Sequence, residues 1–472
     1  MIYNSFNFIL LFPLIFLFYY LIPAKYQTAR NWYLLAVSYS LYIAWKPIYA
    51  LILLGVTGIT YCFALYVGKP QLKGRKALLT AGVIFALLPL VFFKYFNFLN
   101  EAFCDAFSVF GVHVQLVGLN WAIPIGISFF TFQALGYLWD VYYGKIQAEK
   151  DFCVYALFIS FFPSILSGPI NKASLVIPQI KNLRCYFDYP KAVEGLKLIL
   201  WGMFMKVVVA DRVGLYVDTV YGHYMNYSAL SCIMASGLYT IQIYADFGGY
   251  SLMAIGVGKV LGFELTENFR RPLFAYSVTD FWHRWHISLS MWLKDYIYIP
   301  LGGSRCNKLR NYWNIMVTFL VSGIWHGANW TFVFWGLMHG FFQVVEKAVG
   351  QNQCKYNGFG KLLKILITFL IINLTWIFFR MPTISDAFGV IGHILEFDNQ
   401  SGFFWPDYNN LFISFGVMLL IIKDFRDEFF PGRIQLMENR LSVVRWATYL
   451  ALVIFIMLNG VLGSDQFIYA NF

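Results

Sequence analysis

Ser322-Gly323-Ile324-Trp325-His326-Gly327-Ala328-Asn329-Trp330 sets an ionisable ring inside an apolar, aromatic stretch whose length and composition belong in a membrane. Upstream, Phe281-Trp282-His283-Arg284-Trp285-His286 sets a second in similar surroundings. An ionisable side chain at membrane depth is costly to keep and marks a functional site by default. Imidazole is also the side chain that trades protons near neutrality. The two stretches read as chemistry inside a bilayer.

Composition supports that setting. Only 12% of the 472 residues are charged, about half the ~25% of a soluble domain. Hydrophobic residues make up 59% and aromatic residues 20%, and the mean hydropathy is +0.61. No polar stretch is long enough for a soluble domain, so residues 1–472 read as a single multi-span, all-α membrane domain. The net charge of +11 gathers in short loops, such as Lys69, Lys73, Arg75 and Lys76, or Lys423, Arg426, Arg433, Arg440 and Arg445. That is the cytoplasmic orientation signal of a membrane protein. The basic residues form no continuous patch, which argues against nucleic acid as a partner and leaves the lipid bilayer. Cys62, Cys104, Cys153, Cys185, Cys232, Cys306 and Cys354 are scattered, with no CxxC pair, so neither a zinc site nor a disulfide framework is indicated.

Apolar runs predict roughly eleven spans, near 5–23, 30–46, 48–67, 77–98, 122–143, 193–210, 227–245, 329–347, 361–381, 410–422 and 444–464. The first reads as a retained span rather than a cleaved signal, since no Lys or Arg precedes Lys25. Loops 24–30, 68–76, 144–151, 347–361 and 423–445 carry Lys and Arg and are expected inside. Stretches 99–121, 382–409 and 465–472 carry none and are expected outside, as are both termini. With 144–151 and the basic run 170–191 both inside, the segment between them cannot cross. It contains Pro163 and Gly168-Pro169, and a re-entrant helix pair buried in protein resolves the parity.

Residues 259–310 are basic and belong to the cytoplasmic side. Within them, 280–299 reads as an interfacial amphipathic helix, with Trp282, Trp285, Leu289, Trp292 and Leu293 opposite His283, Arg284, Ser288 and Lys294. From Asn311 to Trp325 only 15 residues are apolar, and a helix of that length spans roughly 22 Å of a ~30 Å core. His326 is thus expected below the outer surface, where His286 entering from inside could approach it. Such an arrangement suits a tunnel joining both faces.

His326 has an ordinary alternative, a core histidine bonded to a neighbouring span. A membrane histidine beside Gly327 and Asn329 needs partners that lipid cannot supply, which favours function. An imidazole kept from water stays neutral and is free to accept a proton from a hydroxyl. His286 reads equally as a donor-side auxiliary or a helix cap, and His283 as an interfacial partner. His339, inside a span, is expected to bond to a neighbouring helix, while His113, His223 and His393 lie in or beside loops. Asp246, within Tyr244-Ala245-Asp246-Phe247-Gly248-Gly249-Tyr250-Ser251, reads equally as a cavity liner or as the cap of a helix starting at a Gly-rich break. No metal is expected: His283 and His286 are spaced i, i+3, but no third ligand and no HExxH accompany them. GxSxG and the P-loop are absent too, which sets aside a serine hydrolase and an ATPase.

Ile127-Ser128-Phe129-Phe130-Thr131-Phe132-Gln133, Phe161-Phe162-Pro163 with Ser167-Gly168-Pro169-Ile170, Tyr244 to Ser251, Asn268-Phe269-Arg270-Arg271-Pro272, Phe281 to Tyr298 and Gly323 to Asn329 resemble, in this order, motifs of the membrane-bound O-acyltransferase family, in its bacterial polysaccharide O-acetylation branch. They span roughly 120–340. The resemblance implies helices around a central tunnel, and an acyl donor, acetyl-CoA or another thioester, arriving from the cytoplasm with no bound cofactor. It implies His326 as the catalytic base and His286 as the second histidine, with Asp246, Tyr244, Asn268, Arg284, Trp285, Trp325 and Asn329 lining the tunnel or donor site. It also implies a bacterial inner-membrane location, a cell-surface polysaccharide acceptor and a periplasmic acetyltransferase partner. D-alanyl transfer from a carrier protein to teichoic acid is the alternative within the family. Outside it stands a proton-coupled transporter, for which inverted repeats would be expected and none is seen.

Overall fold

The computed structural model describes every residue except 1–2, 4, 113–117, 120, 166–167, 183–185, 351–357, 398–402, 404–409, 434 and 462–472. Among the described residues all regular elements are helices. The first five are α1 (Phe6–Leu21), α2 (Gln27–Ile43), α3 (Pro47–Val67), α4 (Arg75–Leu90) and α5 (Phe96–Ser108). Next come α6 (Ile127–Tyr142), α7 (Phe152–Ser160), α8 (Phe162–Ile165), α9 (Ala173–Asn182) and α10 (Tyr189–Met203). They are followed by α11 (Asp211–Gly222), α12 (Ala229–Val260), α13 (Val278–Arg284), α14 (Ile287–Leu293) and α15 (Lys308–His326). The last are α16 (Trp330–Ala348), α17 (Phe359–Arg380), α18 (Ile384–Glu396), α19 (Asn410–Phe429) and α20 (Ser442–Asn459).

Four helical stretches are long and apolar enough to cross a bilayer unaided: Pro47–Val67, Arg75–Ser108, Phe359–Arg380 and Ser442–Asn459. The second runs without a break through a π-turn at Val91–Tyr95, just after Pro89 has removed one backbone donor from α4. Stretches 99–121 and 382–409, read from sequence as outer loops, begin as the helices α5 and α18. His113, Ser167, Cys185, Cys354 and the stretch 465–472 lie outside the described residues.

The short helices α7 and α8 are buried throughout apart from Phe152, and at nine and four residues neither is long enough to cross. Lys181, near the end of α9, pairs with Glu149, just before α7, at 3.1 Å. The two ends of the segment therefore lie together, the arrangement that a re-entrant pair requires. Gly126, with φ +74°, starts α6 against this pair; a Cβ there would lie 2.1 Å from the Ile165 carbonyl oxygen.

Helices α10 and α12 touch backbone to backbone. A Cβ on Gly195 would meet the Gly256 carbonyl at 2.6 Å, and one on Gly202 the Gly249 carbonyl at 2.5 Å. This corrects the reading of Gly248-Gly249 as a break. The helix runs unbroken for 32 residues through Asp246, and its glycines serve a close crossing, as small residues do where helices meet in membranes. Helices α15 and α16 cross in the same way at Gly323 and Gly336, folding into a tight hairpin.

The expected helix over 280–299 is also corrected. It is two short helices, α13 and α14, hinged at Trp285 and His286. Two apolar clusters build the interior. Phe129, Phe247 and Trp325 belong to one, Trp285 and Trp335 to the other, and Phe269 packs against both. The hinge lies at their seam.

Candidate active site

His286 is fully buried and has φ +42°, a left-handed conformation that a non-glycine residue rarely adopts. Asn268 holds it there. Its carbonyl accepts the Ile287 amide at 2.9 Å, its side-chain oxygen accepts the Ser288 hydroxyl at 2.9 Å, and its amide donates to Ser251 at 3.0 Å. The Arg270 amide meets the Arg284 carbonyl at 2.9 Å, so residues 268–270 brace both sides of the hinge. Ser288 in turn accepts the Ile170 amide at 3.0 Å, tying the re-entrant segment to the same point. The imidazole faces the edge of Phe247 at 4.7 Å and lies 5.7 Å from Trp325 and 6.3 Å from Phe129. Neither ring nitrogen has a hydrogen-bond partner among the described residues. Buried polar groups normally do, and a reserved acceptor or donor is a common reason when they do not.

His326 is the last residue of α15, which starts at Lys308 rather than Asn311 and ends inside the protein. Its ring is 2% exposed and packed edge-on against Trp325 at 4.9 Å, Trp335 at 4.9 Å and Phe379 at 5.4 Å. A Cβ on the next residue, Gly327, would lie 2.2 Å from the Phe332 ring, so a larger residue here would have to displace that ring. The indole of Trp325 is the shared neighbour of both histidines. The sequence expectation is a direct approach of the two rings; what the structure shows is each ring against Trp325.

The α15 terminus has a partner that sequence reasoning missed. Lys94, in the π-turn, donates to the carbonyls of Trp325 at 2.6 Å and His326 at 3.1 Å, and Tyr95 donates to the Ile324 carbonyl at 2.7 Å. The last carbonyls of a helix have no partner within it, and in lipid no water can serve. Lys94 was detectable as a cation inside the predicted span 77–98.

His339 is bound on both sides. Trp282 Nε1 donates to its Nδ1 at 3.2 Å, and Thr375 Oγ1 lies 3.0 Å from Nε2. Thr375 gives its own proton to the Ile372 carbonyl, so Nε2 must be the donor and the ring is a neutral structural bridge. This is the interhelical bond that the sequence predicted. His393, read as a loop residue, is instead buried in α18 and bonds to the Tyr227 carbonyl at 2.8 Å. His283 is exposed beside the hinge.

The remaining candidates are spread over several tasks. Asp246 pairs with Lys206 at 2.7 Å, and Lys206 also meets Asp211 at 2.6 Å, in a buried triad. Tyr244 donates to Asp424 at 2.7 Å. Arg284 is divided between Asp280 and Glu428, both at 2.9 Å. Trp285 stacks on Phe281 at 5.2 Å and leans on Phe269 and Trp376. Asn329 accepts the Thr331 amide at 2.9 Å and donates to the Pro382 carbonyl, so it caps α16 and is not turned to the rings. Trp325 alone of the seven touches both histidines, and Asn268 acts on His286 through the backbone. A narrow cleft lined by Phe132, Gly136, Asn171, Ser288, Met291 and Trp292 was not foreseen. Phe132 stacks on Trp292 at 3.9 Å and reaches Trp325 at 5.6 Å, linking the cleft to the histidines. No three His, Cys, Asp or Glu side chains converge as metal ligands among the described residues.

A multi-pass helical protein with two imidazoles buried around one indole has the parts of an intramembrane enzyme working by proton transfer. Residues 149–382 match the model of the MBOAT, membrane-bound O-acyltransferase family. The chain is 36% identical over 400 residues to the probable alginate O-acetylase AlgI of Pseudomonas syringae pv. tomato, covering 84% of this chain and 76% of that protein. It is 36% identical over 423 residues to the peptidoglycan O-acetyltransferase of Helicobacter pylori, covering 83% and 79%. Over 258 residues it is 26% identical to the teichoic acid D-alanyltransferase of Bacillus subtilis, covering 52% and 65%. The chain belongs to the MBOAT family and is an O-acyltransferase.

Proposed function

We propose that this enzyme moves an acetyl group from a cytoplasmic thioester, acetyl-CoA in the first instance, towards a cell-surface polysaccharide. Transfer is direct or passes through a periplasmic acetyltransferase partner. The protein sits in the bacterial inner membrane with both termini outward. The observation that carries the reading is the pair His326 and His286 buried about Trp325 in a chain whose O-acetylating relatives are 36% identical over most of their length. The more distant D-alanyltransferase, at 26%, makes carrier-bound D-alanine the second donor to test.

His326 acts as the base. It takes the acceptor hydroxyl proton as that oxygen attacks the thioester carbonyl; the new C–O bond forms, the C–S bond breaks, and the thiolate leaves with the proton. His286, on the hinge between the cytoplasmic-side helices α13 and α14, orients the donor carbonyl. The cleft at Asn171, Ser288 and Met291 is the donor's route, with Phe132, Trp292 and Trp325 excluding water beyond it.

The test is transfer from radiolabelled acetyl-CoA in membranes, wild type against His326→Ala at matched expression. Label reaching polysaccharide or partner only with wild type is the expected result. A fully active His326→Ala enzyme would defeat the assignment.

A further inference from the structure

We infer that Lys94 is a positioning residue for acyl transfer: it fixes the His326 end of α15 and sets a positive charge beside the reacting group. The inference rests on the reading of His326 as the base.

Three observations carry it. First, Lys94 is 7% exposed, and among the described residues no carboxylate lies within 4 Å of it. A cation held at membrane depth without a counter-ion is costly, and a neutral donor would cap a helix end at less cost. Tyr95 does so for the Ile324 carbonyl in the same turn. Second, its two acceptors are the carbonyls of Trp325 and His326, one residue flanking the site and the other the histidine itself. Its ammonium also lies 5.7 Å from the Trp325 indole that both histidines share. Third, it is delivered by a π-turn, a strained variant of the helix that recurs at functional positions.

Acyl transfer develops negative charge on the carbonyl oxygen as the hydroxyl attacks. Protonated, a fixed amine in a dry site stabilises that charge without reorganising at the moment of reaction. The two carbonyl bonds also leave the last turn of α15 little freedom, which keeps the imidazole in register with its substrate.

Lys94→Gln keeps a donor and removes the charge; Lys94→Arg keeps both; Tyr95→Phe removes a neutral donor from the same turn and serves as the structural comparator. Each is purified as the full chain in detergent and compared for melting temperature, kcat and donor KM. We expect Lys94→Gln to melt near Tyr95→Phe, with kcat down about 10²-fold, donor KM within about 3-fold of wild type, and substantial recovery in Lys94→Arg. Overturning results are kcat in Lys94→Gln no lower than in Tyr95→Phe, or Lys94→Arg no better than Lys94→Gln. A wild-type enzyme idle on acetyl-CoA defeats only the donor reading, and the same variants are then compared on a D-alanyl carrier thioester.

Discussion

Gly323→Ala is a test of how tightly His326 is mounted. The added Cβ would sit 2.3 Å from the Phe332 carbonyl oxygen and 3.2 Å from the Gly336 Cα, where ordinary contact begins at 3.4 Å. Both atoms are backbone, so no side chain can swing aside, and α15 and α16 must part by roughly 1 Å. Overpacking of this kind costs about 1–3 kcal/mol. His326 is three residues further along the same helix and moves with it, and a displacement near 1 Å lowers a rate by about 10²-fold. Gly237→Ala is the control: it lies in α12 with nothing within 4 Å of its Cβ, and the substitution should stabilise by about 0.5–1 kcal/mol. Melting in detergent and acetyl transfer per folded molecule separate the two effects. A Gly323→Ala enzyme with wild-type melting and rate would refute the argument, because it would mean the hairpin relaxes without disturbing the site.

His286→Asn tolerates the φ of +42° and fills part of the buried ring site, so melting should fall by no more than about 1–3 kcal/mol, while transfer per folded molecule is lost; transfer that falls only in step with folded protein would mean the ring is chiefly structural. Lys206→Met leaves Asp211 and Asp246 facing one another and should cost about 3–5 kcal/mol, read as a steep drop in folded protein in membranes. Changing both aspartates to asparagine in the same chain should recover much of it, and no recovery would count against the triad. Burial pushes Glu428 up, but Arg284, Arg271 and Lys361 outweigh it and hold the carboxylate below its ordinary value. Its pairing therefore contributes stability that is fully present above the unfolded value of about 4.3 and fades as pH falls through the lower folded value. Glu428→Gln should flatten the melting-temperature decline in that acid range; an unchanged decline would assign it to other groups.

The legible parts of this molecule are those where lipid leaves the chain few options. His326 and His286 stand out because an imidazole in apolar sequence is costly, and the re-entrant pair follows from loop charge alone. Lys94 obeys the same rule and was overlooked only because its span is otherwise so apolar. The hinge at His286 was not legible. No glycine or proline marks it, and its cause is Asn268, which lies far off in register and acts through backbone and serine contacts that form only in the folded chain. Gly248-Gly249 misled for the opposite reason, since glycine breaks a helix in water but lets two helices touch in a membrane. Asn329 looked like a site residue by adjacency, yet its side chain is consumed by a cap and a loop carbonyl.

The bond from Lys94 to the end of α15 spans 231 residues of chain. During synthesis the lysine leaves the ribosome long before its acceptors do. Until α15 is made the two carbonyls that Lys94 caps do not exist, and its amine has to find water or another acceptor. Closing the end of α15 that carries His326 and burying an early helix are thus one event, drawn from two distant parts of the chain.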